Sequence, residues 1–203
     1  MKRLFCLFLL CSILVSFDKS APKVLLFIKE GSPQLEYMLT NEVGKMSEII
    51  KQSGFNVTIA TISGEVLSAG SVNVKPDLKL SEVNVEEYAG FIFPCMVLDL
   101  VTPEMITLVK SAANKGIPIA AQAGSVLIFA RAGLLNGKKY ALNVDASMNP
   151  DFEGGIYSGR GVVQDGIIIT SGVCPWIAKE AGFQDGTQTL TQTLIDTIKA
   201  QAK

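Results

Sequence analysis

The chain has 203 residues, 48% of them hydrophobic and 18% charged, a net charge of −1 and no histidine. That length suits one domain with a sizeable core, and the composition excludes a disordered or fibrous chain. Without histidine the chain cannot by itself build a Ser-His-Asp or Cys-His pair, and it lacks the commonest metal ligand.

Residues 1–17, MKRLFCLFLLCSILVSF, place two basic residues before an unbroken apolar and small-residue run, and polarity returns at Asp18. This is the pattern of a secretory signal peptide, so residues 1–21 read as a leader and the protein as exported, to a periplasm, a secretory compartment or the extracellular space. The run is shorter than the roughly 20 apolar residues of a spanning helix, and a membrane contact is expected only if the leader stays uncleaved. Two of the four cysteines, Cys6 and Cys11, lie in the leader; Cys95 and Cys174 remain. The body is mildly acidic, and no basic block follows the leader, which excludes the clustered cations of a nucleic-acid surface.

Residues 23–203 read as one domain. Val24-Leu25-Leu26-Phe27-Ile28 is a short apolar run, a buried strand. From Pro33 to Ser53, apolar residues at Leu35, Met38, Leu39, Val43, Met46, Ile49 and Ile50 mark one face of a helix stopped by Gly54. Phe55–Thr61 is the next strand. The Ser/Gly/Pro-rich stretch 62–83 predicts loops and a small hairpin around Val72-Asn73-Val74. Gly90-Phe91-Ile92-Phe93 is a strand. Pro103 opens a helix that Thr102 caps. Ile117–Ala121 is a strand, Ser125–Ala132 a short helix, 154–161 a glycine-rich loop, Ile167–Ile169 a strand and Thr187–Ala200 the last helix. Alternating helices and doubly apolar strands predict an α/β fold: a flavodoxin-like three-layer α/β/α sandwich with a mostly parallel sheet. Ligands in such sheets bind beyond the strands' carboxyl ends, which directs attention to 29–36, 95–98, 122–126 and 172–176.

Those segments, in order, resemble the DJ-1/ThiJ/PfpI family of the class I glutamine-amidotransferase-like fold. Tyr88-Ala89-Gly90-Phe91-Ile92-Phe93-Pro94 is similar to the strand leading into the family's Pro-Gly-Gly. Gly116-Ile117-Pro118-Ile119-Ala120-Ala121 is similar to the strand before its nucleophile elbow, and Ala132-Gly133-Leu134-Leu135-Asn136-Gly137-Lys138 to its A-G-L-L-x-G-[KR] run. The resemblance covers the whole body of the chain and implies a crevice with an elbow cysteine. Here the elbow reads Ala120-Ala121-Gln122-Ala123-Gly124-Ser125, with Ala123 at the nucleophile and Gly124 where histidine is frequent, and the Pro-Gly-Gly is Pro94-Cys95-Met96. A methyl group cannot attack a carbonyl or form a thioester, so the family's cysteine-dependent proteolysis, deglycation and glyoxalase chemistry are not implied.

The candidate pocket, a degenerate site, therefore comprises Glu36, Cys95, Met96, Gln122, Ala123, Gly124, Ser125, Cys174 and Pro175. Glu36 matches the family's acidic residue, or else complements the dipole of its helix. Gln122 is either a satisfied structural amide or a ligand contact. Ser125 reads as a helix cap. Cys95 and Cys174 follow strands and stand as free thiols, a disulfide, or, for Cys95, a displaced nucleophile. No cofactor and no metal is expected. The expected function is a binding or regulatory protein with a small-molecule ligand in the crevice, and the resemblance implies a homodimer. The alternative is a hydrolase or a hydratase/lyase that uses Cys95 or Glu36.

Overall fold

The computed structural model describes residues 21–95 and 100–203; the predicted leader up to residue 20 and Met96 lie outside the described residues. Strand β1 (Lys23–Phe27) lies inside a seven-stranded sheet, third from one edge. Beside it run β2 (Asn56–Thr61) on one flank and β6 (Tyr88–Phe93) on the other, both parallel to it. The antiparallel hairpin β3 (Leu67–Ala69) and β4 (Val72–Val74) stands apart, and β5 (Leu78–Lys79) forms the edge beyond β2. Beyond β6 come β7 (Ile119–Gln122) and β11 (Ile168–Ser171), again parallel. The other edge is β10 (Val162–Asp165), antiparallel to β11 through the Asp165-Gly166 turn, where Gly166 takes a φ of 64°. The sheet is thus mostly parallel, as predicted. Two pairings depart from the sequence-based expectation: β10, and a parallel ladder between β8 (Lys139–Tyr140), where no strand is predicted, and β9 (Ile156–Tyr157), which falls within the predicted loop 154–161. These strands are two to four residues long and mix polar with apolar residues, so alternation has too few positions to declare itself.

Side chains alternate across the sheet as a pleat demands. Leu25, Phe27, Phe91, Phe93, Ile119 and Ala121 face helices α3 (Pro103–Asn114) and α4 (Val126–Arg131). Val24, Leu26, Ile28, Ile92, Ala120 and Ile169 face the opposite layer. That layer holds the last helix, α6 (Thr187–Gln201), and the first helical stretch, 35–52. The first stretch is not one regular helix. It comprises α1 (Leu35–Met38), a π-helical turn (Leu39–Val43) closed by the Gly44 N–H on the Leu39 carbonyl, and α2 (Gly44–Gln52). Helix α5 (Pro175–Ala181) follows β11. Thr102 caps α3 by accepting the Met105 N–H at 3.4 Å. Among the described residues no helix is long and apolar enough to cross a membrane.

The α3/α4 core is keyed by aromatic rings. Phe93 touches Phe27 with centroids 5.9 Å apart and Phe129 of α4 at 5.8 Å, all three rings buried. Phe93→Ala leaves a cavity beneath the carboxyl end of β6. It is expected to lower unfolding free energy by about 3–5 kcal/mol in a denaturant titration.

Candidate functional site

Strands β6, β7 and β11 end on the same edge of the sheet, and each delivers one residue to a common crevice: Cys95, Ala123 and Cys174. All three pack in one apolar cluster. A cavity of about 340 Å³ opens there, lined by Cys95, Gly124, Cys174, Met38, Leu127 and Trp176 among others, with Gln34, Asn143 and Asn149 as its polar groups. The size lies within the range of small-molecule sites. No charged side chain lines it among the described residues. The Trp176 ring meets Tyr37 edge-on at 5.5 Å, and the Lys179 ammonium lies 5.0 Å from the Trp176 centroid, so an aromatic pair under a cation borders this cavity.

The elbow is present in its backbone. Ala123 takes a φ of 46°, a left-handed conformation that costs an L-residue about 1–2 kcal/mol, although its side chain is only a buried methyl group. Two buried links hold the strained residue. The Ser125 hydroxyl donates to the Pro94 carbonyl, tying the elbow to the end of β6. Gln122 Nε2 donates to the Val173 carbonyl at 2.6 Å and to Thr187 Oγ1 at 3.1 Å, tying β7 to the loop after β11 and to α6. Gln122 is therefore a structural amide and does not line the cavity. Ser125 stands at the first residue before α4, but its side chain makes no cap; the hydroxyl is spent on Pro94. Pro175 is buried at the first position of α5, where its missing N–H costs nothing.

The acidic residue is reassigned. Glu36 points to the hairpin, where its Oε1 accepts the Ser71 N–H at 3.1 Å and the Ser71 hydroxyl at 3.3 Å. Gly70, at a φ of 56°, leaves space at the turn that this carboxylate fills. The carboxyl at the crevice is Glu42, in the π-helical turn. It is completely buried, its Oε1 accepts the Cys95 N–H at 2.8 Å, and its Oε2 has no hydrogen-bond partner. The sequence carried a signal for it: Glu42 falls on the apolar stripe between Leu39 and Val43, where a solvated glutamate has no place.

These groups set one another's protonation. Burial, with the nearby Cys174 charge, pushes the Glu42 carboxyl well above the ordinary 4.5, so it is held neutral. The Cys95 thiol donates to Cys174 and is pushed well up by that bond and by burial. Cys174 receives that bond and the N–H groups of Ile177 and Trp176, and its thiol is held below the ordinary value against the opposing effect of burial. Both cysteines are free thiols. Of the two, Cys174 has the thiol held low, whereas the sequence-based choice was Cys95; Cys174 is also the more buried, 1% exposed against a half-buried Cys95. Among the described residues no three acidic or thiol side chains converge as a metal site.

Two outcomes follow. Ala123→Gly relieves the left-handed strain but gives up a buried methyl group and frees the unfolded chain, so it is expected to change stability by less than about 1 kcal/mol in chemical denaturation, whereas an unstrained buried alanine would lose more than that. Glu42 in the native state keeps a proton that the unfolded chain releases near pH 4.5. The stability it confers is full below that pH and is lost as pH rises toward the raised folded value. Calorimetry is expected to show the melting temperature of the wild type falling relative to Glu42→Gln from pH 4.5 upward; parallel curves would contradict a neutral buried carboxyl.

Comparison with known proteins agrees with this geometry. Residues 22–177 match the model of the DJ-1/PfpI family. An uncharacterized protein of Archaeoglobus fulgidus is 28% identical over 126 residues, spanning 60% of this chain and 75% of that protein. An uncharacterized protein of Methanocaldococcus jannaschii is 28% identical over 133 residues, 61% of this chain and 63% of that protein. A ThiJ/PfpI domain protein from Brachyspira murdochii superposes with a TM-score of 0.71 at 14% identity, covering 89% of this chain and 98% of that one. A DJ-1 superfamily protein from Agrobacterium tumefaciens gives 0.63 at 17% identity, covering 90% and 100%. At such identities the superpositions speak for the fold, and the matched family model for membership: this chain belongs to the DJ-1/PfpI family.

Proposed function

We propose that this chain is an exported DJ-1/PfpI-family protein that works without the family's elbow-cysteine catalysis and uses the crevice to bind a small molecule in a regulatory or scaffolding role. The observation that carries the reading is Ala123: the backbone holds the left-handed elbow at a φ of 46°, and the side chain it presents is inert. The absence of histidine from the chain removes the base that would activate a neighbouring hydroxyl. An uncharged, largely apolar lining with two asparagines and Gln34 suits a compact neutral ligand with a few hydrogen-bonding groups. The leader pattern supports export, and a homodimer is the assembly the family resemblance suggests.

A second reading has one observation in its favour. A hydrolase or hydratase/lyase that relocates its nucleophile would use Cys174, whose thiol is held low beside the cavity. Cys95 is pushed the other way and Glu36 is occupied at the hairpin, so neither fills that role.

The two readings separate in one assay of the purified chain. No turnover of methylglyoxal or of a peptide ester is expected, while compact neutral ligands change the fluorescence of Trp176, the chain's single tryptophan. Turnover that disappears on Cys174→Ala would establish the second reading in place of the first.

A further inference from the structure

The two thiols of the crevice meet across the end of β7. In the sheet order β11-β7-β6, Cys174 comes off the strand on one side of the elbow strand and Cys95 off the strand on the other. They bridge the position where the fold presents its nucleophile, and the small side chain of Ala123 lies packed with both. Both line the open cavity. A second feature belongs to the same constellation. Glu42, fully buried, fixes the Cys95 backbone through its Oε1 and keeps its Oε2 unpartnered beside the pair. A buried polar oxygen left without a protein partner is uncommon, and here it lies in the same crevice as the two thiols.

We propose that Cys174 and Cys95 form a thiol–disulfide exchange site in the crevice, with Cys174 attacking, Cys95 resolving, Glu42 positioning the resolving residue, and small organic disulfides as the substrate class. The Cys174 thiolate attacks one sulfur of R–S–S–R; a Cys174–S–R bond forms, the S–S bond breaks, and RS⁻ leaves and takes a proton from water. The Cys95 thiol then gives up its proton to solvent and attacks Cys174 Sγ, expelling the second RS⁻, which is protonated in turn. The protein dithiol is oxidised by two electrons, and one disulfide is reduced to two thiols. The asymmetry fits this order: the attacking thiol is the one held low, and the resolving thiol keeps its proton until the mixed disulfide forms. This goes beyond the binding role above, which needs the cavity and not the sulfur chemistry.

The test uses the full chain with Cys6→Ser and Cys11→Ser, reduced and then exposed to glutathione disulfide, with peptide-level mass spectrometry. The expected product is a Cys95–Cys174 disulfide that returns to dithiol on adding reduced glutathione. Cys95→Ser is expected to accumulate one glutathione on Cys174, and Cys174→Ser to slow the first step at least about tenfold. Glu42→Leu, which removes the acceptor of the Cys95 N–H, is expected to slow closure to the internal bond, and Glu42→Gln, which keeps an acceptor oxygen there, to restore it. Glutathione added equally to both cysteines with no internal bond, or first addition at Cys95, would overturn the proposal. Trp176 fluorescence titrations with neutral ligands, run on the reduced protein, report the binding role separately, so either idea can fail alone.

Discussion

The Cys95 N–H on the Glu42 carboxyl, at 2.8 Å, joins two parts of the chain 53 residues apart and organises the edge of the sheet. A carboxylate in that position would pay a large desolvation cost, so the group is held neutral, and a neutral acid offers the Cys95 amide an acceptor without a buried charge. The π-helical turn at Leu39–Val43 makes this geometry: Leu39, Glu42 and Val43 are all buried within five residues. Such turns recur at functional sites because they re-aim side chains that a regular helix would carry past the target.

With Cys95 so placed, the rest of the crevice is built from three strand ends. The elbow is held by Ser125 on Pro94 and by Gln122 on Val173 and Thr187, and these bonds keep Ala123 left-handed. The scaffold that positions a nucleophile thus persists around a methyl group, and the polarisable groups lie to either side of it. The shift of thiol character from the elbow to Cys174 follows from local chemistry. Cys174 receives N–H groups from the first turn of α5 and the Cys95 proton, while Cys95 has a donor's role and a buried carboxyl nearby.

Much of the fold was legible because its inner strands are mostly apolar: β1, β2, β6 and β7 fall within two residues of their sequence-based ranges. β8 and β9, two residues each, are too short to show a pattern, and β10, as long as β7, mixes Gln164 and Asp165 with its two valines. The elbow was found through the Ala132-Gly133-Leu134-Leu135 spacing, and Ala123 at a positive φ agrees with it. The acid was misplaced. The family resemblance pointed to Glu36, whereas the informative feature was a glutamate lodged in an apolar stripe, which only the cost of burying it makes significant. Gln122 and Ser125 were assigned to the pocket by adjacency to Ala123. A residue's neighbours in sequence do not share its direction at a strained turn, and both side chains point into the protein.

The thiol held low at this edge is Cys174, and the elbow itself carries only a methyl group. The rate of iodoacetamide alkylation of each cysteine in the native protein as a function of pH, resolved by peptide mass spectrometry, tests this directly. The account predicts that Cys174 gains reactivity at a lower pH than a free cysteine, while Cys95 stays slow across the neutral range. Equal titration of the two cysteines, or Cys95 reacting first, would contradict it.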